Sequence, residues 1–202
     1  MSALFIILQQ ELKLGFRHFG RILANFLFFL IFISSFSLLA QTKENQAFGS
    51  SIAIWIALLS CLIFSSAEFL KKDFDDGSIE QAMLSCENFE IFILAKILAN
   101  WLILCFPLLI ATSFLKPESE FLILVFLASL AINFICCFCG CLSILSNSAP
   151  LIATIALPLI IPILLISCGD FWISFKLLFG LAVFLGLVLT FATAKIVRIA
   201  VL

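Results

Sequence analysis

Long apolar stretches alternate with short polar ones along the whole chain. Six stand out: Ile22 to Ala40, about Phe48 to Ala67, Phe89 to Leu115, about Phe121 to Leu145, Ala149 to Cys168, and Phe171 to Ala194. Each is close to the ~20 residues with which a helix crosses a hydrocarbon core of about 30 Å. The runs are continuous rather than alternating, which favours helices over a barrel, because a helix satisfies its backbone groups within one segment. The pattern predicts an all-α integral membrane protein with about six transmembrane helices, forming one transmembrane unit over residues 1–202. Spans 1 and 2 fall within 22–67, spans 3 to 6 within 89–194, and a tail follows at 195–202.

Two segments outside these runs carry their own pattern. Over residues 1–21, Phe5, Leu8, Leu12, Phe16 and Phe19 recur at helical spacing, while Gln10, Lys13, Arg17 and Arg21 fall on another face. This predicts an amphipathic helix lying at the membrane surface, or an elbow helix that also touches a cytosolic partner. The longest polar stretch runs from Glu68 to Asn88. There, Leu70 and Phe74 share one face of a short charged helix, and Gly77 can end it in a left-handed conformation. Ser78 and Gln81 have capping-box spacing for a second helix, along which Ile79, Met83 and Cys86 line one side. Apolar knobs in a charged rim suit a docking element; a solvated connector is the plainer alternative.

Composition strengthens the membrane assignment. Hydrophobic residues make up 64% and charged residues 11%, and the mean hydropathy is +1.31. Soluble domains are roughly half apolar and about a quarter charged. A net charge of -1 gives no reason to expect nucleic-acid binding. With the N-terminus inside, Lys13, Arg17, Arg21, Lys71, Lys72, Lys195 and Arg198 fall on the cytoplasmic side, and Lys43, Lys116 and Lys176 on the other. This bias predicts both termini in the cytoplasm of a bacterial inner-membrane protein, and the first span reads as a retained anchor rather than a cleaved signal.

Few residues suggest chemistry. Gly15 and Gly20 have phosphate-loop spacing, but Arg21 and Ile22 stand where Lys and Ser or Thr are required. Ser, His and Asp form no catalytic arrangement, so no catalytic residue is assigned. Pro158 and Pro162, four residues apart in the fifth span, are expected to bend or break it, as a static kink or as a hinge. Lys96 is the basic residue well inside a span. It lies some two turns from the cytoplasmic end, within reach of snorkelling. Cys136, Cys137, Cys139 and Cys141 cluster in the fourth span. Such thiols can hold a soft metal or serve as small hydrophobes; without a nearby His no metal site is assigned.

The loop sequence Asp75-Asp76-Gly77-Ser78-Ile79-Glu80-Gln81 resembles that of the heme exporter protein B (CcmB) family. This family supplies the membrane subunit of the ABC complex in cytochrome c maturation. The resemblance continues through Glu11-Leu12-Lys13, Phe16-Arg17, Leu94-Ala95-Lys96, Trp101 and Pro107-Leu108-Leu109, and returns at Leu157 to Ile163. It implies a permease subunit paired with a separate ATP-binding subunit, beside a heme-handling membrane protein and a periplasmic heme chaperone, as a homodimer or multisubunit complex. ATP would sit on the partner and heme would be the cargo. Leu70, Phe74, Asp75, Asp76, Gly77, Ser78, Ile79, Glu80, Gln81 and Met83 are then the candidates for coupling to the ATPase. Pro158, Pro162, Lys96 and Trp101 are the candidates for a hinge or pathway.

One residue limits how heme is handled. The single histidine, His18, falls on the cytoplasmic side, so a bis-His heme site within one chain is impossible. Either heme passes without strong iron ligation, or the subunit turns ATP-driven motion into release of a heme-loaded chaperone. A permease for lipid, polysaccharide or drug, and a membrane scaffold that transports nothing, remain as alternatives.

Overall fold

The computed structural model describes residues 2–17, 19–39, 43–66, 69–85, 88–146 and 150–201. His18, Ala40, Ala67, Glu68, Cys86 and Ala149 lie outside the described residues, as do the side chains of Phe16, Arg17, Phe19, Arg21 and Lys72. The described elements are all helices: α1 (Ser2–Arg17), α2 (Phe19–Leu39), α3 (Lys43–Ser66), α4 (Lys71–Asp75), α5 (Ser78–Ser85), α6 (Phe89–Leu115), α7 (Ser119–Ser146), α8 (Pro150–Ser167) and α9 (Phe171–Val201). Among the described residues, three segments are long and apolar enough to cross a membrane: Phe89–Leu115, Ser119–Leu145 and Phe171–Ala200. The described apolar parts of α2, α3 and α8 are shorter: Ile22–Phe36, Ser51–Ser66 and Thr154–Ser167.

The centre of the bundle is α7, which packs against α3, α6, α8 and α9. Its residues are buried on every side, including Val125, Ala128, Ile132, Ile135, Cys136 and Cys139, as expected of a helix that is apolar all round. By contrast, α9 buries a narrow stripe. Ser174, Leu178, Ala182, Thr190 and Ala194 recur at intervals of four or eight and are buried, whereas Phe184, Leu187 and Phe191 are exposed. Small residues in the stripe let the helix axes approach, and the bulky residues outside it suit lipid. A close approach to backbone lies at Gly140 of α7, where an added Cβ would meet the Ser66 carbonyl oxygen at the end of α3.

Several expectations change at the level of packing. The helix over the first residues does not lie free: α1 packs along α6, and a Cβ on Gly15 would collide with the Ile103 side chain. Phe5 and Leu14 remain exposed. Residues 195–201 are not a separate tail but the last turns of α9. Arg198 there pairs with Glu90 at 2.8 Å and lies 5.7 Å from the Phe89 ring centre, closing α9 onto the start of α6. At the opposite end, Lys116 donates to the Ser51 hydroxyl at 3.0 Å and pairs with Glu118 at 3.2 Å, tying α3 to the α6–α7 turn.

Pro158 and Pro162 do not break their helix, which runs from Pro150 to Ser167 with both inside it. Both rings are exposed, while Ala156, Ile160, Ile163 and Ser167 form the buried face. The prolines therefore lie on the face of α8 that meets no other described helix.

Candidate coupling site

The polar loop folds as two short helices, α4 and α5, joined at Gly77. Gly77 has φ +70, in the left-handed region that costs a residue with a side chain roughly 1 kcal/mol or more. An added Cβ there would meet nothing within 4 Å, so the demand for glycine is conformational rather than steric. Its N–H donates to the Phe74 carbonyl at 3.2 Å. The expected capping box takes a different form: Ser78 lies inside the first turn of α5, and its hydroxyl donates back to the Asp73 carbonyl at 3.1 Å. That bond fastens the start of α5 to α4.

The apolar residues of this loop face inward. Leu70 and Ile79 are almost completely buried, in a cluster with Phe89 and Ile93 of α6, Cys141 of α7 and Val197 of α9, with Phe74 and Met83 packed against it. They are anchors rather than the knobs that the sequence pattern suggested. A five-residue helix repeats too few times to reveal which side meets the bundle. Outward-facing positions are Lys71, Asp75, Asp76, Ser78, Glu80 and Gln81, and above all Leu84, which is 91% exposed. Leu84 was missed at the sequence level; its signal is a leucine on the polar side of an otherwise amphipathic helix.

Behind the loop lies a charge cluster. Lys96 does not snorkel to the surface. Its side chain is 10% exposed, and its ammonium pairs with Glu11 Oε1 at 3.1 Å and with Asp73 Oδ2 at 2.9 Å. It also lies 5.4 Å from the Phe92 ring centre. Three elements, α1, α4 and α6, thus meet at one cation.

Deeper in the bundle, Trp101 is a packing residue: its indole N–H donates to the Ser129 hydroxyl at 3.1 Å, and its ring stands edge-on to Phe126 at 4.9 Å. The residue before it, Asn100, donates to Asn133 Oδ1 at 3.3 Å, and Asn133 Nδ2 donates to the Ile97 carbonyl at 3.1 Å. Both amides are buried. This pair, which the sequence analysis did not single out, sets the register of α6 against α7. Replacing Asn133 with Leu removes the Asn100 amide's oxygen acceptor, leaving it the Cys137 sulfur at 3.7 Å, and should cost about 1–2 kcal/mol. The Asn100→Leu, Asn133→Leu double variant should cost less than the sum of the two singles, as thermal denaturation in detergent would read out.

Cys136, Cys137, Cys139 and Cys141 are buried and free, and among the described residues no three His, Cys, Asp or Glu side chains converge on a metal position. Consecutive helical positions point their thiols in different directions around α7.

Long apolar helices around a buried central one, with an anchored polar loop at one end, define an α-helical multi-pass membrane protein. The family model described as CcmB protein matches residues 2–200, and the chain belongs to this family. It is 30% identical over 181 residues to heme exporter protein B of Pseudomonas aeruginosa, covering 84% of this chain and 81% of that protein. It is 34% identical over 106 residues to heme exporter protein B of Haemophilus influenzae, covering 52% and 48% of the two chains. With heme exporter protein B of Escherichia coli it shares 34% identity over 105 residues, again 52% and 48%. The matched segments thus span about half the length of the latter two relatives.

Proposed function

We propose that this chain is the non-catalytic membrane subunit of an ABC transporter serving c-type cytochrome biogenesis. The energy comes from a separate ATP-binding subunit that docks on α4–α5. The observation that carries the docking reading is the split of the loop into two faces. Leu70 and Ile79 bind it to the bundle, while Leu84 stands 91% exposed one turn after the exposed Glu80 and Gln81, with Asp75 and Asp76 exposed before α5 begins. An exposed leucine in an acidic rim calls for an apolar socket edged with basic residues. Such a loop is anchored firmly enough to transmit a push, which a solvated connector could not do.

In this reading the chain crosses a bacterial inner membrane six times with both termini in the cytoplasm, and α1 sits at the cytoplasmic interface. It works with a heme-handling membrane protein and a periplasmic heme chaperone, as a homodimer or within a larger complex. ATP stays on the partner, and heme is cargo rather than a resident cofactor. The relatives named as heme exporter protein B support the cargo. The subunit's task is to convert ATP-driven motion into handover of heme or release of the loaded chaperone.

Leu84→Glu should lower co-purification of the ATP-binding subunit on the order of tenfold while membrane abundance of the chain stays at the wild-type level. Leu70→Glu should instead lower abundance, because it buries a charge in the anchor. Full association of Leu84→Glu would remove the docking reading. Depletion of the chain should abolish c-type cytochromes and leave heme-loaded chaperone to build up. Unchanged cytochromes would point to a permease for other cargo or to a scaffold.

A further inference from the structure

We propose that Lys96 is a positioning residue that yokes α1 and the docking loop together on α6, so that α1, α4–α5 and the start of α6 move as one body. The proposal rests on the coupling role given to the loop above. It begins from the geometry of one ammonium held by carboxylates from two different elements, Glu11 of α1 and Asp73 of α4. A single carboxylate would be enough to neutralise a lysine. The second links two segments through carboxylates that are 62 positions apart in the numbering and carry the same charge. At a partly dehydrated position such charge-assisted contacts are short and directional. When α4 shifts, α1 must follow, or a carboxylate is left facing another carboxylate without its cation.

Two further contacts complete the linkage. Toward the outside, the Ser78 hydroxyl bonds the Asp73 carbonyl, so the residue that grips Lys96 is tied to the first turn of α5, the helix that carries Leu84. Toward the bundle, Gly15, one turn beyond Glu11, lies where a Cβ would collide with Ile103. The helix α1 is therefore fixed along α6 at two points, an ion pair and a close approach. Displacement at the exposed tip of α5 runs through Ser78 and Asp73 to Lys96, and from Lys96 to Glu11. The N-terminal helix is thus part of the coupling element and not only a membrane-surface anchor.

Glu11→Gln is the deciding variant, because Lys96 keeps Asp73 as its partner and the bundle keeps a neutral pair. Membrane abundance and co-purification of the ATP-binding subunit should match the wild type, while c-type cytochrome yield falls on the order of tenfold. A second variant, Glu11→Lys with Lys96→Glu, retains one cation between two carboxylates and should restore the yield. Normal yield in Glu11→Gln would overturn the proposal. So would a swapped pair that is present in the membrane at wild-type level yet stays inactive. If Glu11→Gln loses abundance, recovery of both abundance and yield in the swap supports the yoke, and failure to recover overturns it. Failure of the docking reading is distinguishable, since the wild-type chain itself would then not co-purify with an ATP-binding subunit.

Discussion

Lys96→Met is expected to lower the stability of the bundle by about 3 kcal/mol or more, seen as early thermal aggregation of the detergent-purified protein. Methionine nearly matches the length of the lysine stem, so the loss is electrostatic, including that of the ammonium 5.4 Å from the Phe92 ring centre. Without the ammonium, Glu11 and Asp73 face each other, 19% and 30% exposed respectively. They must then separate, take up water or bind a proton, and each of these opens the junction of α1, α4 and α6. Removing one acid has a different consequence, because Glu11→Gln or Asp73→Asn leaves a neutral pair. Each should cost about 1 kcal/mol or less. The ordering is the test: a Lys96→Met protein as stable as Glu11→Gln would mean that the cluster contributes nothing to the fold.

The second large effect is expected at Gly140. Its Cα faces the Ser66 backbone so closely that a Cβ would overlap the carbonyl oxygen. A flexible side chain could rotate away; a backbone carbonyl at a helix end can yield only if α3 moves. Because α7 is packed on all sides, that movement disturbs several interfaces at once. Gly140→Val should destabilise by about 3 kcal/mol and deplete the protein from the membrane, with Gly140→Ala intermediate. Gly180 is the control: it too lies in a long helix, but a Cβ there meets nothing within 4 Å. Gly180→Ala should be neutral or slightly stabilising through helix propensity. Equal abundance of Gly140→Val and Gly180→Ala would show that α3 and α7 do not meet in this way.

The helices of the second half were legible because their apolar runs are long and their breaks are sharp. The runs Phe89 to Leu115 and Phe171 onward begin where α6 and α9 begin. The turn at Gly77 was legible too, since few residues tolerate its positive φ. Direction was not legible. At α4, Phe74 and the preceding Leu70 gave a face but no indication that it turns toward Val197, more than a hundred residues later. Lys96 looked like a snorkelling residue because its distance to the span end is local information, whereas Glu11 lies 85 positions away. Asn100 and Asn133 were not singled out, because each is one polar residue in an apolar run and their meaning lies in their bond to each other.

Composition and periodicity were sufficient to determine a helical membrane protein with a polar loop between apolar runs. Transfer of backbone and side chains between water and lipid is a sum over residues within one segment. Which loop residues are anchors and which are free, where Lys96 finds its charge partners, and why Gly140 has no side chain were decided by tertiary structure. Each depends on how helices distant in sequence cross, and burial and ion pairing exist only once those crossings have formed.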